Sequence, residues 1–234
     1  MLRPFAFGPR TLIGVLFGTL LGCSERAPAE AVKAAPPSAL LARVRSAAPA
    51  FAQFGRPHAS SPLVHVTLPV RADGAARIGL DAARELSIRA LDVASVAPQR
   101  VEGATVFAAA RPSLDVLFAE GGDRFEELRV LHDERAPNVA RWSIAASDAI
   151  VDVRLKGATV EAFDAAGHVV LRTDRIFAVD AKGVRREPAL SLARGERTWT
   201  LTADLDRAGL AYPIVLDPIW LYGASTAVPH SPAF

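Results

Sequence analysis

Cysteine is nearly absent: one residue, Cys23, in a chain of 234. A single cysteine excludes an internal disulfide and a cysteine-rich zinc site. An excess of either charge is missing too. The chain has 27 Lys and Arg against 25 Asp and Glu, and Arg3 and Arg10 alone make up the difference. From Cys23 onward the chain is formally neutral. It therefore lacks the cationic excess that draws a protein to nucleic acid or anionic lipid, and no nucleic-acid partner is expected. The one apolar run near the start falls short of the roughly 20 residues of a membrane-spanning helix. Catalytic signatures are missing as well: there is no G-x-S-x-G, phosphate-binding glycine loop, dinucleotide fingerprint or H-E-x-x-H. The histidines, His58, His65, His132, His168 and His230, show no ligand spacing. No cofactor, no metal and no enzymatic activity are expected.

What the chain does have begins at its first residues. Arg3 and Arg10 precede a charge-free run, "TLIGVLFGTLL", from Thr11 to Leu21. A basic start, about eleven apolar residues and a small residue before the cut form the pattern of a secretory signal peptide. The next residues complete "LLGC", Leu20 to Cys23, which resembles a bacterial lipobox. Leu21 departs from the small or β-branched residue more usual there. The resemblance implies removal of residues 1–22 and attachment to a membrane through lipidated Cys23. The expected location is the bacterial cell envelope, and Ser24 after the cysteine points to the outer membrane or cell surface. With no cationic stripe, the anchor would rest on acyl chains, of which two suffice and one is marginal.

Residues 23–62 are rich in Ala and Pro and read as a tether. Within them "SALLARVRSAAPAFAQFG" has the spacing of a short helix. Ser38 would be its N-cap, and Leu40, Leu41, Val44 and Ala48 its apolar face. Two readings stay open, a helix docked on the main domain and a frayed linker.

From Leu63 the hydrophobic period becomes two. In "IVDVRLK", Val151, Val153 and Leu155 alternate with Asp152, Arg154 and Lys156; in "TWTLT", Trp199 and Leu201 alternate with threonines. Such alternation marks half-buried strands. About ten of them, separated by turn signals, predict an all-β domain over 63–222, an antiparallel sandwich or a meander-rich sheet. At "DAARELSIRALDVAS" a short helix competes with the strand, since Ala and Leu are good helix formers. Residues 223–234 carry no Asp, Glu, Lys or Arg and read as a disordered tail.

One echo addresses topology. "FDAAGHVVLR" and "VDAKGVRREP" both contain Asp-Ala-x-Gly, with Asp164 and Gly167 repeated at Asp180 and Gly183. Asp opens a tight turn and Gly, three residues on, accepts the positive φ that closes it. Two such turns in series predict a β-meander, and "RADGAAR" a further hairpin. The acids lack the alternate spacing of a calcium loop. Glu120, Asp123, Glu126, Glu127, Asp133 and Glu134 cluster in "EGGDRFEELRVLHDE" and read as the acidic flanks of a solvated strand, with paired hydrolase carboxylates as the sharper reading. Trp142, Trp199 and Trp220 read as core, with a sugar-stacking platform as the alternative.

The segment "LAYPIVLDPIW" carries Tyr212, Pro213, Asp217, Pro218 and Trp220. Its two prolines bracket a short apolar strand, predicted to be an edge because proline gives no ladder N–H. With "FEELRVL", "FDAAGHVVLR" and "TWTLTADLDRAG" before it, it resembles the close of an N-terminal β-rich leader module of large secreted bacterial proteins, there followed by kelch-type or other surface repeats. No diglycine-plus-aromatic blade follows here. The resemblance implies a truncated or stand-alone leader. The expected function is a non-catalytic, lipid-anchored module acting as spacer or interaction platform, with an envelope protein or glycan as partner. The alternative is a carbohydrate- or peptidoglycan-binding lipoprotein using exposed aromatics.

Overall fold

The change of hydrophobic period along the chain becomes a change of element. The computed structural model describes residues 36–47, 51–56, 64–79, 81–121 and 124–222. Cys23, the expected signal peptide over 1–22 and the expected disordered tail over 223–234 lie outside the described residues. The one helix among them is α1 (Pro37–Ala47). Pro37 holds its first position, where a missing N–H costs nothing and φ is already helical. Ser38 is therefore inside the first turn, not the cap, and Leu40 N–H donates to Pro36 O at 3.1 Å.

The strands follow in chain order: β1 (His65–Thr67), β2 (Ala75–Gly79), β3 (Glu85–Ala90), β4 (Gln99–Val101), β5 (Ala104–Arg111) and β6 (Leu114–Gly121). Then come β7 (Arg124–Leu131), β8 (Val139–Ala146), β9 (Ile150–Lys156), β10 (Thr159–Asp164), β11 (Val169–Thr173) and β12 (Phe177–Val179). The last are β13 (Arg185–Arg186), β14 (Ala189–Arg194), β15 (Thr198–Asp204), β16 (Ile214–Asp217) and β17 (Ile219–Tyr222). The fold is all-β, as its alternation predicts, but the described strands number seventeen rather than about ten. The helix competitor over 81–95 gives a turn and β3.

The additional strands are ones that alternation hides. β5, "ATVFAAAR", is alanine-rich, and alanine prefers helices in isolation. It is a strand because β4 and β6 flank it. The β4–β5 loop is two residues long, and Glu102 and Gly103 both have positive φ, the pattern of a tight hairpin.

Two antiparallel sheets pack face to face. The smaller has the order β1-β2-β3-β8-β15-β14. The larger runs β13-β12-β16-β7-β17-β11-β10-β9, and β6, β5 and β4 extend from the other side of β7. Between the sheets lies the main core, with Ile78, Ile88, Trp142 and Leu201 from one sheet against Phe107, Val116, Phe125 and Trp220 from the other. The larger sheet also buries its outer face. Leu40, Leu41 and Val44 of α1, with Phe51 and Phe54, cover Val106, Leu117, Leu128, Val130 and Val215. The helix in the stretch read as a tether is thus docked. Arg45 ties it down, donating through Nε to Phe54 O at 2.9 Å and pairing with Glu102 at 2.5 Å.

Candidate functional site

The closing segment is paired on both sides within the larger sheet. Strand β16 pairs Ile214 with Leu131 and Leu216 with Arg129; β17 continues in the same antiparallel register, Ile219 with Glu126 and Leu221 with Arg124. The two are one strand interrupted at Pro218. The Pro218 carbonyl still accepts Glu127 N–H at 3.3 Å, but the proline ring returns no donor. On its other side β16 pairs with β12 and β17 with β11. The expected edge strand is therefore central. The donor that Pro218 lacks is on the β7 side, so that ladder loses one N–H there, while the far-side neighbour changes from β12 to β11 around it.

Tyr212–Pro213 is a cis peptide, and half-buried Tyr212 lies 5.9 Å from the Arg207 guanidinium. Trp220 is fully buried, its ring 6.2 Å from Phe125 and nearly parallel to it. Asp217 is also buried, on the α1 side of the sheet opposite Phe177, and its Oδ1 finds no partner among the described residues. Burial first, then the carboxylates of Glu126 and Asp174, push it well above the usual carboxylate range; Arg185 opposes them.

Asp164 and Asp180 both act on the backbone. Asp164 accepts from Ala166 N–H and His168 N–H at 3.0 and 2.8 Å. Asp180 accepts from Lys182 and Val184 in its own turn and from Ala211 N–H beyond it, each at 2.8 Å. Burial works to raise Asp180, yet these N–H groups hold it below the usual carboxylate range. Gly167 and Gly183 both have φ of +81° with open space around them. The two hairpins are not a meander, however. Between β11 and β12 in the sheet stand β17, β7 and β16.

The acidic stretch is not a solvated strand either. β7 is buried on both faces, and Glu127 points into the main core. Its carboxylate accepts Arg129 Nε at 2.8 Å and Trp142 Nε1 at 2.9 Å. Arg129 Nη1 donates to Asp92 Oδ1 at 2.9 Å, and the guanidinium lies 4.3 Å from the Trp142 ring. Burial would lower the Arg129 pKa, but the two carboxylates outweigh it and raise it. This cluster joins β7 to β8 across the sandwich. Alternation on β7 could have found Arg129 and Glu127 on the Phe125 face; Asp92, from the turn after β3, has no sequence signal.

A second grouping lies at the β5–β6 turn and the end of β7. His132 Nε2 is 2.7 Å from Asp115 Oδ2, whose other oxygen accepts Ala109 N–H at 2.6 Å. Ser113 and Ala109 both hold positive φ, uncommon for residues with a Cβ. Ser113 Oγ donates to Asp133 at 2.9 Å rather than facing the imidazole. Hydrogen bonding to Arg135 chiefly holds the Asp133 carboxyl far below its ordinary range. His65 and His168 likewise face carboxylates, Glu85 at 3.0 Å and Asp164 at 3.3 Å. His58, Asp123 and His230 lie outside the described residues; Glu120 and Glu134 are exposed.

A shallow groove of about 390 Å³ is lined by Asn138, Ala189, Asp204, Leu205, Asp206 and Arg207. Its polar groups largely hold one another or the backbone: Asn138 donates to Asp204 at 3.1 Å and Arg207 to Ala136 O at 2.7 Å. Trp142, Trp199 and Trp220 are all buried, so none offers a ring to a sugar. Among the described residues no group of three or more His, Cys, Asp or Glu is placed to hold a metal ion, and no helix is long and apolar enough to cross a membrane. No protein-family model, curated protein or solved structure matches the chain.

Proposed function

We propose that the chain is a non-catalytic, lipid-anchored module of the bacterial cell envelope, a spacer or interaction platform of the leader type that its closing segment resembles. The observation that carries this reading is how the polar side chains are committed. Asp164 and Asp180 hold turns, Glu127, Arg129 and Asp92 tie the sheets together under Trp142, and the Ser113 hydroxyl bonds Asp133 instead of meeting a base. Side chains used this way make a stiff body. Cys23, directly after an apolar run with a basic start, supports the anchor.

Intact-mass analysis of the chain recovered from a bacterial membrane fraction tests the reading. The expected species begins at Cys23 and carries acyl chains on it. Cys23→Ser should leave the protein unacylated and release it from the membrane fraction. An unmodified thiol, or an intact Met1, overturns the proposal.

A further inference from the structure

Asp217 is a buried carboxyl group that the cluster under Trp142 and the turn aspartates do not use. Its residue is 2 % exposed, in the middle of the closing strand, and Oδ1 has no hydrogen-bond partner among the described residues. The groups that face it are mostly of its own sign. Glu126, itself paired with Arg124 at 3.5 Å, lies on β7, and Asp174 on the β11–β12 connection; Arg185 of β13 is the opposing cation. Arg185 is itself engaged, its guanidinium carbon 3.5 Å from the centre of the Phe177 ring. From β12 the facing residue is Phe177, which is apolar. An ionised carboxylate in such a place would be desolvated with Oδ1 unpaired, and the Glu126 and Asp174 carboxylates would add to that cost.

We propose that the closing strand is an acid-set latch, in which Asp217 enters the fold as a neutral carboxylic acid and its ionisation loosens β16 from the β12–β13 hairpin. The hairpin is the part able to yield. Its strands span three and two residues, and β16 is the strand that joins it to the rest of the sheet. Peeling β12 away would hydrate the carboxylate and leave the β7–β16 pairing in place.

The sign follows from linkage. In the unfolded chain Asp217 ionises near pH 3.9. In the folded chain it keeps its proton to higher pH, so its contribution to stability is complete below about pH 3.9 and is lost as pH rises toward the folded midpoint. Within that window one proton is released on unfolding, and the unfolding constant should rise about tenfold per pH unit. Above the folded midpoint the loss is complete.

A carboxyl-carbon NMR titration of the full chain, with Asp217→Asn used to assign the resonance, reads the midpoint directly. Urea melts across the same pH range read the stability. The expected result is a midpoint above the ordinary Asp range and a fall in wild-type stability with pH that Asp217→Asn lacks. Amide exchange at Ala178 and Leu216, corrected for intrinsic rates, should quicken as Asp217 ionises. If Asp217→Asn does not fold, Asp174→Asn on the exposed connection serves instead and should move the midpoint down. A midpoint at or below about 3.9, equal pH dependence in wild type and Asp217→Asn, or an unmoved midpoint in Asp174→Asn overturns the proposal.

Discussion

Arg129 is held from three directions: by Glu127 on its own strand, by Asp92 after β3, and by the face of Trp142 on β8. A guanidinium taken out of water needs compensating charge and donors that find acceptors, and both are supplied here. The arrangement is sensitive to the loss of one member. Arg129→Met would leave Glu127 and Asp92 buried without a cation. The expected cost is about 3–5 kcal/mol, measured by urea denaturation at neutral pH. Replacing Glu127 and Asp92 by Leu alongside it should recover much of that loss, because an apolar cluster of similar volume leaves no charge to solvate. A single Arg129→Met variant within about 1 kcal/mol of wild type would mean that water reaches the site.

At the scale of the element, the closing strand carries the larger sheet. It pairs with β7 along its length and serves two hairpins on its far side. Trp220→Ala should cost about 3–5 kcal/mol, since a fully buried indole stacked on Phe125 would be replaced by a cavity. A chain ended at Ala211 would remove the strand entirely. It should show no cooperative thermal transition, because β12 and β11 would both lose a neighbour. A sharp melt at the wild-type temperature would show that β7 can close the sheet without it. The proline-bracketed run was legible as a strand, since Ile214, Val215 and Leu216 are β-formers between breakers. Its central place was not, because which strand lies alongside depends on residues up to 97 positions away, as Leu221 is from Arg124.

For the whole molecule, the layers decide what counts as the domain. The larger sheet has two apolar faces, one against the smaller sheet and one under α1 with Phe51 and Phe54. A chain beginning at Val64 would keep every described strand and expose Leu117, Leu128, Val130 and Val215. Such an apolar patch invites association. The shortened chain should bind a hydrophobic dye and self-associate in sedimentation runs where the full chain does not. Equal behaviour of the two would show that α1 is dispensable cover.

Local rules reached a definite depth in this protein. The all-β class, the strands with strict alternation and the Asp-x-x-Gly turns follow from the sequence alone, because pleat period and the freedom of glycine at positive φ act over a few residues. The helix spacing at Leu40, Leu41 and Val44 is local in the same sense. Tertiary structure alone decided that this helix docks, that the Asp164 and Asp180 hairpins stand apart with the closing strand between them, and that Glu127, Arg129 and Asp217 are interior. The physical reason is that a strand's neighbours, and whether its second face is covered, are set by closing long loops and packing both sheet faces together, a balance that no short stretch of sequence contains.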